Sequence, residues 1–402
     1  MHIGYVTPEY PDTQKPEGGL GTYIQKISRE LVRREHLVTV FILSSQAGIR
    51  NDEGVELRYV TKVRLHWQLK RNPTFAGWLD LFEQWINAVR VKKEVLKQHH
   101  QSSFDVVQVP NYKTPGWALS NNGFFPLVCR CSSYSPLWRA ANNVNRQLPD
   151  AIADWIEARQ VIEADAAFAP SDFVSRVYQR FEAIRPQVIH TPIELPGQEQ
   201  DDGVYRELVA GKKYLLFFGS LNGVKGVDVL IQAAPRILSR YQDISILFIG
   251  RNDPLPSGRR ALDSIKSHLL EYWQSGRVVY SPSLPKEQLY PVIRHAFGVI
   301  LPSRVDNYPN ACLESMGLGV PVVGTYDSSL DEIVVDGKTG FLFENGNPEA
   351  LFHATERLIS LDENQRMQMR AEIASEVIRF SEEDRIGQLI RLYQSVIKRS
   401  KA

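Results

Sequence analysis

Two carboxylates, Asp306 and Glu314, stand with seven residues between them in the segment Pro302-Ser303-Arg304-Val305-Asp306-Asn307-Tyr308-Pro309-Asn310-Ala311-Cys312-Leu313-Glu314. The apolar run Gly298-Val299-Ile300-Leu301 precedes it, and a helix is predicted over Asn310 to Leu318. Strand, loop and helix N-terminus in that order make a corner for an anion. The first N–H groups of a helix have no intrahelical acceptor, and its dipole favours negative charge there. The spacing puts Pro309 at the first helical position, where its missing N–H costs nothing. The N–H groups of Asn310 and Ala311 would then face a phosphate. Helical side chains lean toward the N-terminus, so Glu314 reaches back over the same corner. A carboxylate accepts from two vicinal hydroxyls. The chemistry implied is binding of a polyhydroxylated phosphate ligand, such as a ribose and a hexose on one diphosphate. The plainer reading has Asp306 capping the helix and Glu314 on the surface.

Other residues could serve the same ligand. Lys225 sits beside Gly226 at the end of Phe218-Gly219-Ser220-Leu221-Asn222-Gly223-Val224, just before a helix. A lysine there meets a diphosphate as a point charge. Arg251 follows the strand Ile246–Gly250 and either approaches phosphates or closes the strand. Ser283 and Leu284 follow the next strand and could offer backbone groups to a flat base. Gly18-Gly19-Leu20-Gly21 follows the first strand and precedes a helix, where glycines allow close backbone approach to a phosphate or sugar. The dinucleotide fingerprint GxGxxG is not matched, and neither is the P-loop. No Cys/His cluster has metal spacing, and there is no serine nucleophile elbow.

Alternating strands and amphipathic helices must position these residues. In the first half strands are predicted at His2–Val6, Val38–Leu43, Phe104–Val109, Pro126–Cys131 and Ala166–Ala169. The second half restarts with Tyr214–Phe218, Ile244–Ile249, Arg277–Tyr280, Gly298–Leu301 and Pro321–Val323. Intervening helices include Thr22–Arg34, Phe75–His99, Ala151–Glu163, Val227–Arg240 and Glu349–Leu361. Such alternation implies parallel sheets covered on both faces. The polar stretch Thr191 to Gly203, rich in Pro and Gly, reads as the link between two domains. The 402 residues, 43% hydrophobic and 23% charged, fit a multidomain globular protein. A net charge of +1 gives no global field for nucleic acid. Three cysteines are too few for a disulfide framework, the N-terminus reads as a strand, and no apolar run spans a bilayer. The cytoplasm is the expected compartment.

The 60–97 region differs. Phe75, Trp78, Phe82 and Trp85 recur at helical spacing, flanked by Lys62, Arg64, Lys70, Arg71, Arg90, Lys92, Lys93 and Lys97. Such a stripe is usually core. It could instead rest peripherally on the inner face of an anionic membrane.

Taken together the motifs resemble the retaining glycosyltransferases of family 4, which have the GT-B fold. The resemblance rests on Gly18-Gly19, Lys225-Gly226, Leu313-Glu314-Ser315-Met316, Gly319-Val320-Pro321-Val322-Val323, Phe341 and Leu392-Tyr393. It implies an α/β protein of two Rossmann-like doubly wound domains facing across a cleft. The expected divisions are an acceptor-side domain over 1–197, a donor-side domain over 204–375, and a C-terminal helix over 376–402 packing back on the first. It implies a metal-independent transfer of a hexose from a nucleotide sugar. The donor would be UDP-glucose, and the acceptor a glycan or lipid-linked molecule of envelope or exopolysaccharide synthesis. Carried over by position, Glu314 holds the ribose and Asp306 the donor sugar. Asn307, Tyr308 and Asn310 line the sugar and diphosphate, Lys225 neutralises the leaving diphosphate, and Gly19 packs against donor phosphates or acceptor. This chain departs from the family at four places. Ser220 stands where an arginine is usual, with Arg251 as its replacement. Ser132, with Arg130 and Ser133 nearby on the acceptor side, stands where many members carry histidine. Asp306 replaces a glutamate, and Pro309 a glycine. Ser220 and the missing histidine motivate a second function, a nucleotide-sugar-binding subunit with little catalysis, and a nucleotide-sugar epimerase on the same fold is a third reading.

Overall fold

Short apolar runs become parallel strands because both faces of such a run must be covered. In the first half these are β1 (His2–Thr7), β2 (Leu37–Ser44), β3 (Gly48–Asp52), β4 (Val55–Thr61), β5 (Val106–Pro110), β6 (Leu127–Arg130), β7 (Ala166–Ala169) and β8 (Gln187–Val188). The second half supplies β9 (Lys213–Phe218), β10 (Ile244–Ile249), β11 (Val278–Ser281), β12 (Gly298–Leu301), β13 (Val322–Thr325) and β14 (Gly340–Phe343). This computed structural model describes residues 1–11, 19–65, 73–192, 201–382 and 384–401. The chain divides into two units. One comprises Met1–Pro136, Asn145–Pro192 and Asp384–Ala402, the other Leu137–Val144 and Ile193–Glu383.

The first unit carries a sheet in the order β3-β4-β2-β1-β5-β6-β7-β8. All its pairs are parallel except β3 with β4. That exception is a hairpin the apolar pattern does not announce. Its turn is Glu53-Gly54, both at positive φ (50° and 88°), as a two-residue turn requires. The helix Arg385–Ser400 completes this unit. Ile386, Leu389, Leu392, Tyr393 and Val396 join a core with Ile3, Tyr5, Ile24 and Val40. The Tyr5 hydroxyl lies 2.9 Å from that of Tyr393, which donates to Gln108 Oε1 at 2.6 Å, so the last helix is tied to β1 and β5.

The second unit carries an all-parallel sheet in the order β11-β10-β9-β12-β13-β14. Numbered within the unit this is 3-2-1-4-5-6, and the order reverses between β9 and β12. Ligands of open α/β sheets bind outside the carboxyl ends of the strands at such a reversal. The helix Glu363–Glu382 belongs to this unit, so the chain passes to the first unit at Asp384, later than residue 376. The stretch 193–200 of the interdomain link lies outside the described residues. All three cysteines are free and buried.

Candidate functional site

The loops leaving β9 and β12 meet at the reversal point. Gly226 makes the approach possible. It has φ of 64°, and a Cβ there would lie 1.7 Å from the Pro302 carbonyl oxygen. Two further contacts lock the loops. The Arg304 N–H donates to the Val224 carbonyl at 2.8 Å. The Arg304 guanidinium donates to the Gly223 carbonyl at 2.8 Å and to both Asp228 oxygens at 2.6 and 2.7 Å. Arg304 and Asp228 thus position the site without being named by the motif reading. Their signal in the sequence is weak, since neither residue type is unusual at a loop or in a first helical turn.

This locking brings Lys225 and Asp306 together. The Lys225 ammonium pairs with Asp306 Oδ2. The same oxygen accepts from Ser303 Oγ at 3.3 Å, and Oδ1 accepts from the Asn307 N–H at 3.1 Å. The Asp306 side chain is only 11% exposed and that of Lys225 35%. Asp306 is therefore turned into its own loop and toward the lysine, away from the role of helix cap. The N-cap position belongs to Pro309, which is extended at φ −73°, ψ 112°. Pro309 thus stands one residue earlier than the spacing suggests, and the helix runs Asn310–Gly317. The N–H groups of Cys312 and Leu313 turn back to the Pro309 carbonyl at 3.1 and 3.3 Å. Those of Asn310 and Ala311 have no earlier helical carbonyl to meet. Glu314 lies on the second turn of this helix, half-buried. Tyr308 is buried and packs with the core of this unit.

A second pairing forms on the other side of β9. Arg251 donates to Asp253 at 2.7 and 2.9 Å and reaches Ser220 Oγ at 3.3 Å. Hydrogen bonding to Asp253 raises its pKa above the usual guanidinium value. Gly250 allows the two loops to touch, since a Cβ there would lie 1.7 Å from the Gly219 carbonyl oxygen. Arg251 thus stands beside Ser220. Ser283 is exposed after β11, and Leu284 packs partly against the core.

The acceptor-side candidates form a separate cluster in the first unit. Arg130 ends β6, only 7% exposed. It donates to Ser132 Oγ at 2.9 Å and Thr191 Oγ1 at 3.3 Å, and lies 4.0 Å over the Tyr23 ring. Its Nε has no hydrogen-bond partner, and among the described residues no carboxylate pairs with it. Burial lowers its pKa, the sign of a desolvated cation. Asn111 Oδ1 accepts from the N–H groups of Ser132 and Ser133 at 2.6 and 3.3 Å, and the buried Ser133 Oγ is unpartnered. Gly19 opens the helix Gly19–Arg33, and Gly18 lies outside the described residues. Among the described residues no group of His, Cys, Asp and Glu could hold a metal ion.

Two family models match the chain in tandem. The one described as Glycosyltransferase Family 4 matches residues 17–195, and Glycosyl transferases group 1 matches 205–375. A D-inositol 3-phosphate glycosyltransferase of Corynebacterium urealyticum is 32% identical over 184 residues, 46% of this chain and 43% of that protein. One from Corynebacterium diphtheriae is 26% identical, covering 92% of this chain and 88% of its own. Sucrose-phosphate synthase from Thermosynechococcus elongatus shares the fold at a TM-score of 0.79 and 16% identity, covering 99% of both chains. Anabaena HepE, solved in complex with UDP-glucose, gives 0.67 at 17% identity, covering 97% of this chain and 99% of its own. The two family matches fill the two α/β units in turn, so this chain belongs to the family 4 glycosyltransferases of GT-B fold and depends on a nucleotide sugar.

Proposed function

We propose that the chain transfers a hexose from UDP-glucose, with retained anomeric configuration, to a hydroxyl of a glycan or lipid-linked acceptor in envelope or exopolysaccharide synthesis. The observation that carries the donor assignment is the Lys225–Asp306 pair at the sheet's reversal point, beside the N-terminus of Asn310–Gly317. In this reading Glu314 accepts from the ribose hydroxyls and Asp306 from the hexose hydroxyls. The N–H groups of Asn310 and Ala311 meet the diphosphate. Lys225 neutralises the charge that grows on the diphosphate as the C1–O bond breaks, an electrostatic contribution confined to the transition state. The acceptor oxygen attacks C1 from the face the diphosphate leaves, and its proton passes to the leaving phosphate oxygen. No protein nucleophile is assigned. Arg251 supplies the second phosphate cation in place of the arginine missing at Ser220. The complex of UDP-glucose with the structural neighbour HepE supports a uridine donor.

A donor panel tests this: UDP- and GDP-sugars are incubated with the protein, and released nucleotide and product anomer are read. Release of UDP from UDP-glucose with an α-linked product is expected. Binding of UDP without release would favour the binding-subunit reading, and an epimerised nucleotide sugar would favour the isomerase.

Arg130 favours a second reading of the acceptor. A buried guanidinium that meets no carboxylate among the described residues is costly, and a phosphate on a small polyol would relieve that cost. The relatives named for D-inositol 3-phosphate support this reading. Transfer to D-inositol 3-phosphate, lost in Arg130→Met, would select it over the glycan or lipid-linked acceptor.

A further inference from the structure

The helix Pro73–Gln101 does not bury its aromatic stripe. Phe75, Trp78, Phe82, Trp85 and Val89 are between 42% and 58% exposed. At about 100° per residue these five fall within one arc of roughly 80°, a continuous band and not scattered single residues. Phe82 and Trp85 stack at 5.9 Å along it. Beside the band runs a groove of about 390 Å³ between this helix and the helix Leu148–Ile162, with Trp117 and Ile156 on its far wall. Gly77 holds the two helices close, since a Cβ there would lie 2.9 Å from Pro149 Cγ.

Charge identifies what covers this band. On the same helical projection Lys92, Lys93 and Lys97 lie within about 80° of the centre of the aromatic arc. The carboxylates Asp80, Glu83 and Glu94 lie about 120° or more away. The outward face is thus apolar along its first half and cationic along its second, with its acids turned aside. The same face of this helix in a second copy would offer those lysines no carboxylate, which argues against pairing of two such helix faces. An interfacial helix on an anionic bilayer has this layout: tryptophan and phenylalanine enter the boundary of headgroups and acyl chains, while lysines flank them at phosphate level.

We infer that this face of the first unit docks on an anionic membrane surface, the helix Pro73–Gln101 lying in the headgroup plane with acyl chains entering the groove. No helix among the described residues is long and apolar enough to cross a membrane, so the contact is peripheral as far as they go.

The test is co-sedimentation of the full chain with phosphatidylcholine vesicles, with and without phosphatidylglycerol. Binding to the anionic vesicles alone is expected. Trp78→Ser with Trp85→Ser should lower the partition coefficient about tenfold or more. Lys93→Glu with Lys97→Glu should also lower it at least about tenfold and leaves the aromatic band intact, so the test survives if the tryptophan variant does not fold. Circular dichroism melting checks the fold of both. The inference is overturned if the wild-type chain stays in the supernatant, if it binds neutral and anionic vesicles alike, or if neither variant changes binding. A concentration-dependent dimer that the tryptophan variant abolishes, with no vesicle binding, would assign the face to a second copy and also overturn it.

Discussion

Asp306 is held by Ser303, the Asn307 N–H and Lys225, so the short aspartate arm is oriented before any ligand arrives. Orientation compensates for reach: a carboxylate one methylene shorter than glutamate serves if its loop brings it forward. Arg251 carries the sharper prediction at this scale. If Arg251 replaces the family's arginine, then Arg251→Ala should lower kcat/KM for UDP-glucose about tenfold or more, the loss of one charge-assisted contact. Ser220→Arg should restore much of that loss in the double variant, because Ser220 Oγ already lies 3.3 Å from the guanidinium. Steady-state kinetics on the three variants check this, and no restoration would separate the two positions functionally.

At the scale of elements, the site depends on two loops wedged together. Gly226→Ala would drive a Cβ into the Pro302 carbonyl at a left-handed φ. We expect a loss of about 2 kcal/mol or more in stability by denaturant titration, with kcat falling because Lys225 and Asp306 separate. The residues proposed to touch ligand were legible in the sequence because each sits at a strand end or a helix start, within a contiguous motif: Lys225 before its helix, Asp306 and Glu314 around another. The residues that clamp the loops were not. Arg304 and Asp228 are 76 positions apart, and only the fold makes them partners. Tyr308 shows the converse limit, since its place in the motif suggests a ligand contact while its ring packs into the core. Strand β3 escapes the apolar pattern because Gly48–Asp52 is almost wholly exposed at the sheet edge, where no alternation is enforced. The 3-2-1-4-5-6 order of the second sheet is likewise a property of pairing, and no local window carries it.

At the scale of the whole molecule, the last helix returns to the first unit and is fixed by polar as well as apolar contacts. Tyr393→Phe would leave Gln108 Oε1 and the Tyr5 hydroxyl without their shared buried partner. A loss of about 1–3 kcal/mol is expected, read as a lowered thermal midpoint with UDP affinity unchanged, because the residues proposed to hold the donor lie in the other unit. The proposed activity requires the second unit to hold a uridine diphosphate sugar through Lys225 and the segment 302–314. Calorimetric titration of UDP into the wild-type chain, Lys225→Ala and Glu314→Ala tests it most directly. The prediction is saturable binding to the wild type and an affinity about ten- to a hundredfold weaker in each variant, from the loss of one charged contact. Equal affinity in all three, with each variant folded, would contradict it.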